Sequence, residues 1–170
     1  DREVTVSGEG LKTEGDFQSD SRELSPNEHD PLRELLTVGV LCNDANLEQN
    51  NGDVTAVGDP TEVALLVAGR KAGMSREQLV SEQPEAREVA FDPQVKMMAT
   101  YHRRDDRYHV AVKGALEPVI EASSRIMTEE GERELSEDER ERWRERNSGM
   151  AENGLRVLAM ATKQVDDQEA

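Results

Sequence analysis

The chain has 170 residues, 35% hydrophobic and 34% charged, with a formal net charge of −16. That charge argues against nucleic acid and anionic membrane surfaces as partners of the surface as a whole, and a polyanionic ligand would need a local positive site or an accompanying cation. One cysteine, Cys42, excludes an intrachain disulfide and fits a reducing compartment, and no apolar run approaches the ~20 residues of a spanning helix.

The length favours one domain over residues 1–170. No signal peptide is visible at Asp1, and neither end carries an initiator Met or a tail, so the chain is expected to be a piece of a longer protein.

Val4 to Ser7 alternates as a short strand, and Gly8, Gly10 and Gly15 mark turns before Phe17. Ser19 to Ser25 reads as a polar connection. Asp30-Pro31 is an N-cap followed by proline at the first helical position. Leu32, Leu35, Leu36, Gly39 and Val40 then recur at helical spacing, which predicts a core helix over 31–42. Asn43 to Asp53 is rich in Asn, Asp and Gly and reads as a loop; Val54 to Val57 is a short strand. Asp59-Pro60-Thr61-Glu62 opens a buried helix that ends near Gly73, with Asp59 as cap and Glu62 either completing a capping box or pointing outward. Ser75-Arg76-Glu77-Gln78 starts a short third helix.

After Pro84 the period changes to two. Val95, Met97, Ala99 and Tyr101 alternate with Lys96, Met98, Thr100 and His102; after Arg103 to Arg107, Tyr108, Val110 and Val112 alternate with His109, Ala111 and Lys113. This predicts a β-hairpin with a charged five-residue connection, Phe91 at the start of its first strand, and Lys96 and Lys113 on strand faces. A lysine there is costly unless its ammonium reaches water or an anion. Gly114 follows Lys113 directly, so the backbone there could approach a flat ligand. One ring, two cations and a bare backbone patch suit a purine nucleotide.

Leu116 to Ile126 reads as a helix with Pro118 in its first turn. Residues 128–145 carry dense charge of both signs and read as an exposed helix, with a capping box at Ser136-Glu137-Asp138-Glu139 and a stop at Asn153-Gly154. Leu155 to Ala161 is a final strand with Arg156 among apolar residues. Mixed helices and strands with an antiparallel hairpin make the class α+β.

Each candidate residue has a bland reading beside the functional one. Phe91 could be a core aromatic, Lys96 and Lys113 surface lysines, Glu62 a helix-start residue favoured by the dipole, and Arg156 a member of a structural ion pair. No Gly-x-x-x-x-Gly-Lys-[Ser/Thr] loop is present, and His29, His102, His109 and Cys42 are not spaced as a metal site. His102 and His109 flank a charged turn and are expected to be exposed. No nucleophile–base set is suggested, so neither catalytic nor metal-ligating residues are assigned.

The pattern Phe91-x-x-x-x-Lys96-x-Met98 followed by Val112-Lys113-Gly114-Ala115 resembles the nucleotide-binding (N) domain of P-type cation-transporting ATPases, in the calcium-pump-like branch. Cys42-Asn43-Asp44-Ala45, Gly58-Asp59-Pro60-Thr61-Glu62-Val63-Ala64-Leu65 and Gly154-Leu155-Arg156-Val157-Leu158-Ala159 agree, in the family's order and over nearly the whole chain. The resemblance implies a twisted, mostly antiparallel sheet flanked by helices. It implies that Phe91 stacks on adenine, Lys113-Gly114 lines the adenine end, Lys96 helps to hold the nucleotide, and Met98 packs beneath it. Glu62 would accept from the adenine amino group and Arg156 would reach the phosphate tail. Pro93 stands where some members have an arginine, so one phosphate contact is in doubt. The Asp-Lys-Thr-Gly-Thr phosphorylation motif is absent from this sequence. The implied role is therefore to hold ATP, with Mg²⁺ carried by the nucleotide, for a phosphorylation domain of the same parent chain at the cytoplasmic face of a membrane. The isolated chain is expected to be inactive and not membrane-inserted. The alternative is a non-enzymatic acidic interaction domain that uses the charged 128–147 helix on a basic partner.

Overall fold

A computed structural model describes residues 2–50 and 53–167. The fold is α+β, as expected, and it divides into two compact units, Asp1–Glu82 and Gln83–Ala170.

The first unit opens with a small antiparallel sheet of β1 (Thr5–Val6), β2 (Phe17–Ser19) and β3 (Arg22–Glu23). The stretch expected as a polar connection is therefore a tight hairpin. Asp20 and Ser21 turn it with φ of 51° and 62°, the left-handed pair that matches strand twist. A 3-10 turn (Pro26–Glu28) leads into helix α1 (Asp30–Leu41). His29 rather than Asp30 stands at its N-cap; Asp30 is already helical and pairs with Arg33 at 2.9 Å.

Strands β4 (Asn46–Asn50) and β5 (Asp53–Val57) form the next hairpin, so the loop expected over 43–53 is in part a strand. Its polar composition hides the pairing, because Asn and Glu are poor strand formers. Asn51 and Gly52 of that expected loop lie outside the described residues. Helix α2 (Pro60–Lys71) is capped as predicted: Asp59 Oδ1 accepts from the Thr61 amide at 2.8 Å. Helix α3 (Arg76–Glu82) starts on Ser75, whose Oγ accepts from the Gln78 amide at 3.1 Å.

Two apolar clusters hold this unit. Val40, Leu47, Leu66 and Val67 form one; Phe17, Leu24 and Leu36 form the other. Each such side chain contributes roughly 1.5–3 kcal/mol by leaving water. Gly69 lets α2 approach α1, since a Cβ there would collide with Val40.

The second unit is built on a four-stranded antiparallel sheet. Strands β6 (Glu85–Asp92), β7 (Met97–Arg104) and β8 (Arg107–Gly114) follow one another, and the last strand, β11 (Ala159–Val165), pairs on the far side of β8. The predicted hairpin is β7–β8, but its connection is shorter than expected. Arg104 pairs with Arg107, so only Asp105 and Asp106 turn, Asp105 at φ 55°. Phe91 lies near the end of a separate strand, β6. Lys96 and Val95 lie in the β6–β7 turn, not on a strand face.

Between β8 and β11 come helix α4 (Leu116–Ala122), the hairpin of β9 (Arg125–Thr128) and β10 (Gly131–Glu134), and helix α5 (Glu137–Glu152). The helix expected to run to Ile126 thus stops at Ala122, and the charged stretch begins as a hairpin. Ser136 makes the full capping box with Glu139, which fixes where α5 starts. Arg140 on α5 donates to the Ile120 and Ser123 carbonyls at the C-terminal end of α4, where a cation meets the negative end of the helix dipole. The final strand begins at Ala159, four residues later than its apolar run suggests. Arg156 is exposed in the connection before it, so burial among apolar neighbours does not arise.

Candidate functional site

The sheet of the second unit brings three predicted residues into one row. Val89 pairs with Ala99 and Asp92 with Met97, so Ala90 and Phe91 together oppose Met98. This two-against-one arrangement is a β-bulge, a device that re-aims a side chain and ends pairing. Met98 pairs with Lys113 on β8, and Lys113 pairs with Met160 on β11. Adjacent strands lie about 4.8 Å apart. Phe91, Met98 and Lys113 thus occupy consecutive strands.

Their exposures differ sharply. Phe91 is 55% exposed, Met98 is 3% and Lys113 is 5%. The core-aromatic alternative for Phe91 is therefore out: a ring this open does not hold the unit together. Met98 is buried, consistent with a packing part. Lys113 is held between two methionines, and an ammonium kept there needs a polar partner.

Gly114 has a different reason from the one expected. A Cβ on it would fall 2.5 Å from the Lys96 carbonyl oxygen and 2.7 Å from Met97 Cγ. The space beside this glycine is filled by the β6–β7 turn rather than left bare. The Lys96 carbonyl also accepts from the Ala115 amide at 3.0 Å, so the turn is tied to the end of β8.

The turn itself explains where Lys96 sits. Asp92 Oδ1 accepts from the Gln94 amide at 2.7 Å, and the Asp92 carbonyl accepts from the Lys96 amide at 2.6 Å. Pro93 fixes its own φ, and Lys96 closes the turn at φ 59°. The Asp-Pro pair thus breaks the strand period that placed Lys96 on a face.

The histidines are also placed otherwise than expected. His102 is fully buried and His109 nearly so, as neighbours across β7 and β8. His102 Nδ1–H donates to the Gln83 carbonyl (3.1 Å), and its Nε2 is hydrogen-bonded with the Thr100 hydroxyl (2.8 Å). His109 Nδ1 donates to Gln83 Oε1 at 3.1 Å. Both faces of β7 and β8 are covered, so the polar phase of the alternation is as buried as the apolar one.

Glu62 belongs to the first unit, in the first turn of α2. Its Oε2 accepts from the Asp44 amide at 3.3 Å, which ties the start of α2 to the Cys42–Ala45 segment. Asn43, which residue-by-residue reasoning passed over, is the better anchored neighbour. It is 1% exposed; its amide donates to the Gly39 and Glu62 carbonyls and accepts from the Ala45 amide. Gly58 packs against Ala45 with φ 133°, and a Cβ would meet the Ala45 Cβ at 2.7 Å. The Cys42–Ala45 and Gly58–Glu62 motifs therefore lock onto each other. Their co-occurrence in the sequence was the available signal. Among the described residues no group of His, Cys, Asp and Glu could hold a metal ion, and no helix is long and apolar enough to cross a membrane.

Comparison with known proteins accounts for these motifs. Residues 31–170 match the family described as P-type ATPase, cytoplasmic domain N. The calcium-transporting ATPase of Bacillus subtilis (strain 168) is 37% identical over 162 residues, covering 94% of this chain and 18% of that protein. A cation-transporting ATPase of Synechocystis is 38% identical over 135 residues, 79% of this chain and 15% of that protein. A sodium/potassium exporting P-type ATPase of Schizosaccharomyces pombe is 37% identical over 134 residues, 78% of this chain and 12% of that protein. The chain belongs to the cytoplasmic N-domain family of P-type ATPases, whose general role is to bind ATP. It spans less than a fifth of the length of these relatives.

Proposed function

We propose that residues 1–170 act as one nucleotide-binding domain of a cation-transporting P-type ATPase at the cytoplasmic face of a membrane. The domain holds the adenine of ATP on Phe91, with Lys113-Gly114 along the base and Met98 beneath. It presents the γ-phosphate to an aspartate of the phosphorylation domain of the same parent chain. Lys96 and Arg156 lie on exposed backbone segments and serve the phosphates. Glu62, by family resemblance, accepts from the adenine amino group and is tested on its own by Glu62→Gln. Mg²⁺ travels with the nucleotide and needs no protein cage here.

The observation that carries this reading is the exposure of Phe91 on a bulge beside the buried Met98–Lys113 pair. An exposed ring flanked by a cation is a stacking platform for a base. Positioning dominates phosphoryl transfer, so a domain without a nucleophile still decides the rate of the whole pump. The interaction-domain alternative loses ground because charges on and beside α5 are engaged internally. Arg140 grips α4, Arg144 pairs with Glu137 and Glu141, and Arg133 pairs with Glu139.

Titration with MgATP at physiological salt tests the proposal. The expected affinity is about 0.1–1 mM, or roughly −4 to −5.5 kcal/mol. Adenosine should compete, and the isolated chain should release no phosphate. Sub-micromolar affinity, or binding indifferent to adenosine, would count against the assignment.

A further inference from the structure

The residue that shapes this end of the sheet is one that no motif singles out. Asp92 follows the stacking ring directly and makes three separate ties. Its carboxylate takes the Gln94 amide, its carbonyl takes the Lys96 amide, and its backbone pairs with Met97. The turn it closes is demanding. Lys96 is held at φ 59°, a left-handed conformation that a lysine rarely adopts, and the surroundings must impose it. The same turn presses the Lys96 carbonyl against Gly114 and onto the Ala115 amide, immediately after Lys113. One short segment therefore joins the backbone that carries Phe91 to the backbone that carries Lys113.

We infer that Asp92 is a positioning residue for the nucleotide site: by accepting the Gln94 and Lys96 amides it sets the turn that fixes the Phe91 ring and Lys96 relative to Lys113. This rests on the nucleotide site proposed above. Electrostatics alone predicts the opposite sign. On a chain of charge −16, a carboxylate beside an ATP site repels the ligand, so its removal would tighten binding. Positioning requires that its loss weaken binding.

The test is calorimetric titration of the 170-residue chain with MgATP, using Asp92→Ala, Asp92→Asn and Phe91→Ala. Asp92→Asn keeps an oxygen that accepts the Gln94 amide and should bind within about twofold of the parent. Asp92→Ala removes that acceptor and should weaken binding about fivefold or more, because small misplacements of a positioned group are costly. Its backbone amide shifts should be confined to residues 89–98 and 113–116. Equal or tighter binding by Asp92→Ala would overturn the inference, as would equal weakening by Ala and Asn, which would make the charge itself the active feature. If Asp92→Ala loses its melting transition, Asp92→Ser takes its place, because its hydroxyl can accept the same amide. Affinity within about twofold of the parent then supports positioning, and a greater loss overturns it. Phe91→Ala separates the two levels. If it binds as the parent does, the site itself is misplaced; if it weakens while Asp92→Ala does not, only the role of Asp92 falls.

Discussion

The two ends of the β6–β7–β8 sheet handle their chemically active side chains in opposite ways. At the Gln83 end, His102, His109 and Thr100 are buried, and both histidines hydrogen-bond to Gln83 while His102 also meets Thr100. At the Phe91 end, an aromatic ring faces solvent beside a buried lysine. The first arrangement spends polar groups on structure; the second leaves apolar surface in water, which stability alone does not favour. Residue type misleads at both ends. The histidines suggest chemistry and serve the fold, whereas the phenylalanine suggests a core and is available to a ligand.

Substitutions should separate the two ends. The largest effect is expected from His102→Ala, which leaves the Gln83 carbonyl and the Thr100 hydroxyl facing a cavity. It should destabilise by about 2–4 kcal/mol, or roughly 5–10 °C in melting temperature, with ATP affinity of the folded fraction unchanged. A melting temperature within a degree of the parent would show that the histidine end is not structural.

Phe91→Ala should do the reverse. It should cost about 1–3 kcal/mol of ATP binding and leave stability within about 0.5 kcal/mol, whereas Phe91→Trp should retain binding. A large loss of stability would return the ring to the core and erase the contrast.

A third substitution, remote from both ends, gives a calibration by pH. The hydrogen bond from Arg133, with the Ser136 amide next, holds Glu139 at about 2, below its ordinary 4.5. Its folded value is depressed, so its contribution is complete above about 4.5 and disappears as pH falls toward 2. Glu139→Gln should flatten the acid-side loss of stability in that window without touching nucleotide affinity. The effect should be modest, because Arg133 is solvated. An unchanged acid limb would mean that the pair contributes nothing.

The smallest effect is expected from Arg156→Ala in the isolated chain. An exposed guanidinium–phosphate pair gains only about 1 kcal/mol at ~4 Å in water. ATP affinity should fall less than for Phe91→Ala. A greater fall would move the weight of the site from the base to the phosphates.

Much of this architecture was legible where the code is local. The caps at Asp59 and Ser136, the stop after Glu152 and the β7–β8 pairing follow from hydrogen-bonding side chains and period. What was not legible depends on distant packing. Alternation along β7 and β8 reports two faces but not which is covered, so His102 and His109, expected to be exposed, are instead buried. Strand β4 is hidden by its Asn and Glu, and the β9–β10 hairpin by charge that resembles the helix after it. Lys96 was put on a strand because the period runs through Val95; the Asp92–Lys96 hydrogen bond that breaks it is not a pattern. Of the proposed site, the row of Phe91, Met98 and Lys113 follows from motifs, whereas Asp92 emerges only from the turn.

The order β11-β8-β7-β6 also bears on how the chain comes off the ribosome. Strand β8 is complete at Gly114, yet its outer hydrogen-bonding edge waits for Ala159–Val165, after two helices and a hairpin have been made. During that interval Val110, Ala111 and Val112 present an apolar, unpaired edge, the kind that recruits another strand. Closing it requires a contact of long sequence separation, which forms late. A nascent chain stalled or truncated before residue 159 should therefore aggregate, even though the segments already made carry the motifs from Cys42 to Ala115. The last seven-residue strand acts as the lock on biogenesis.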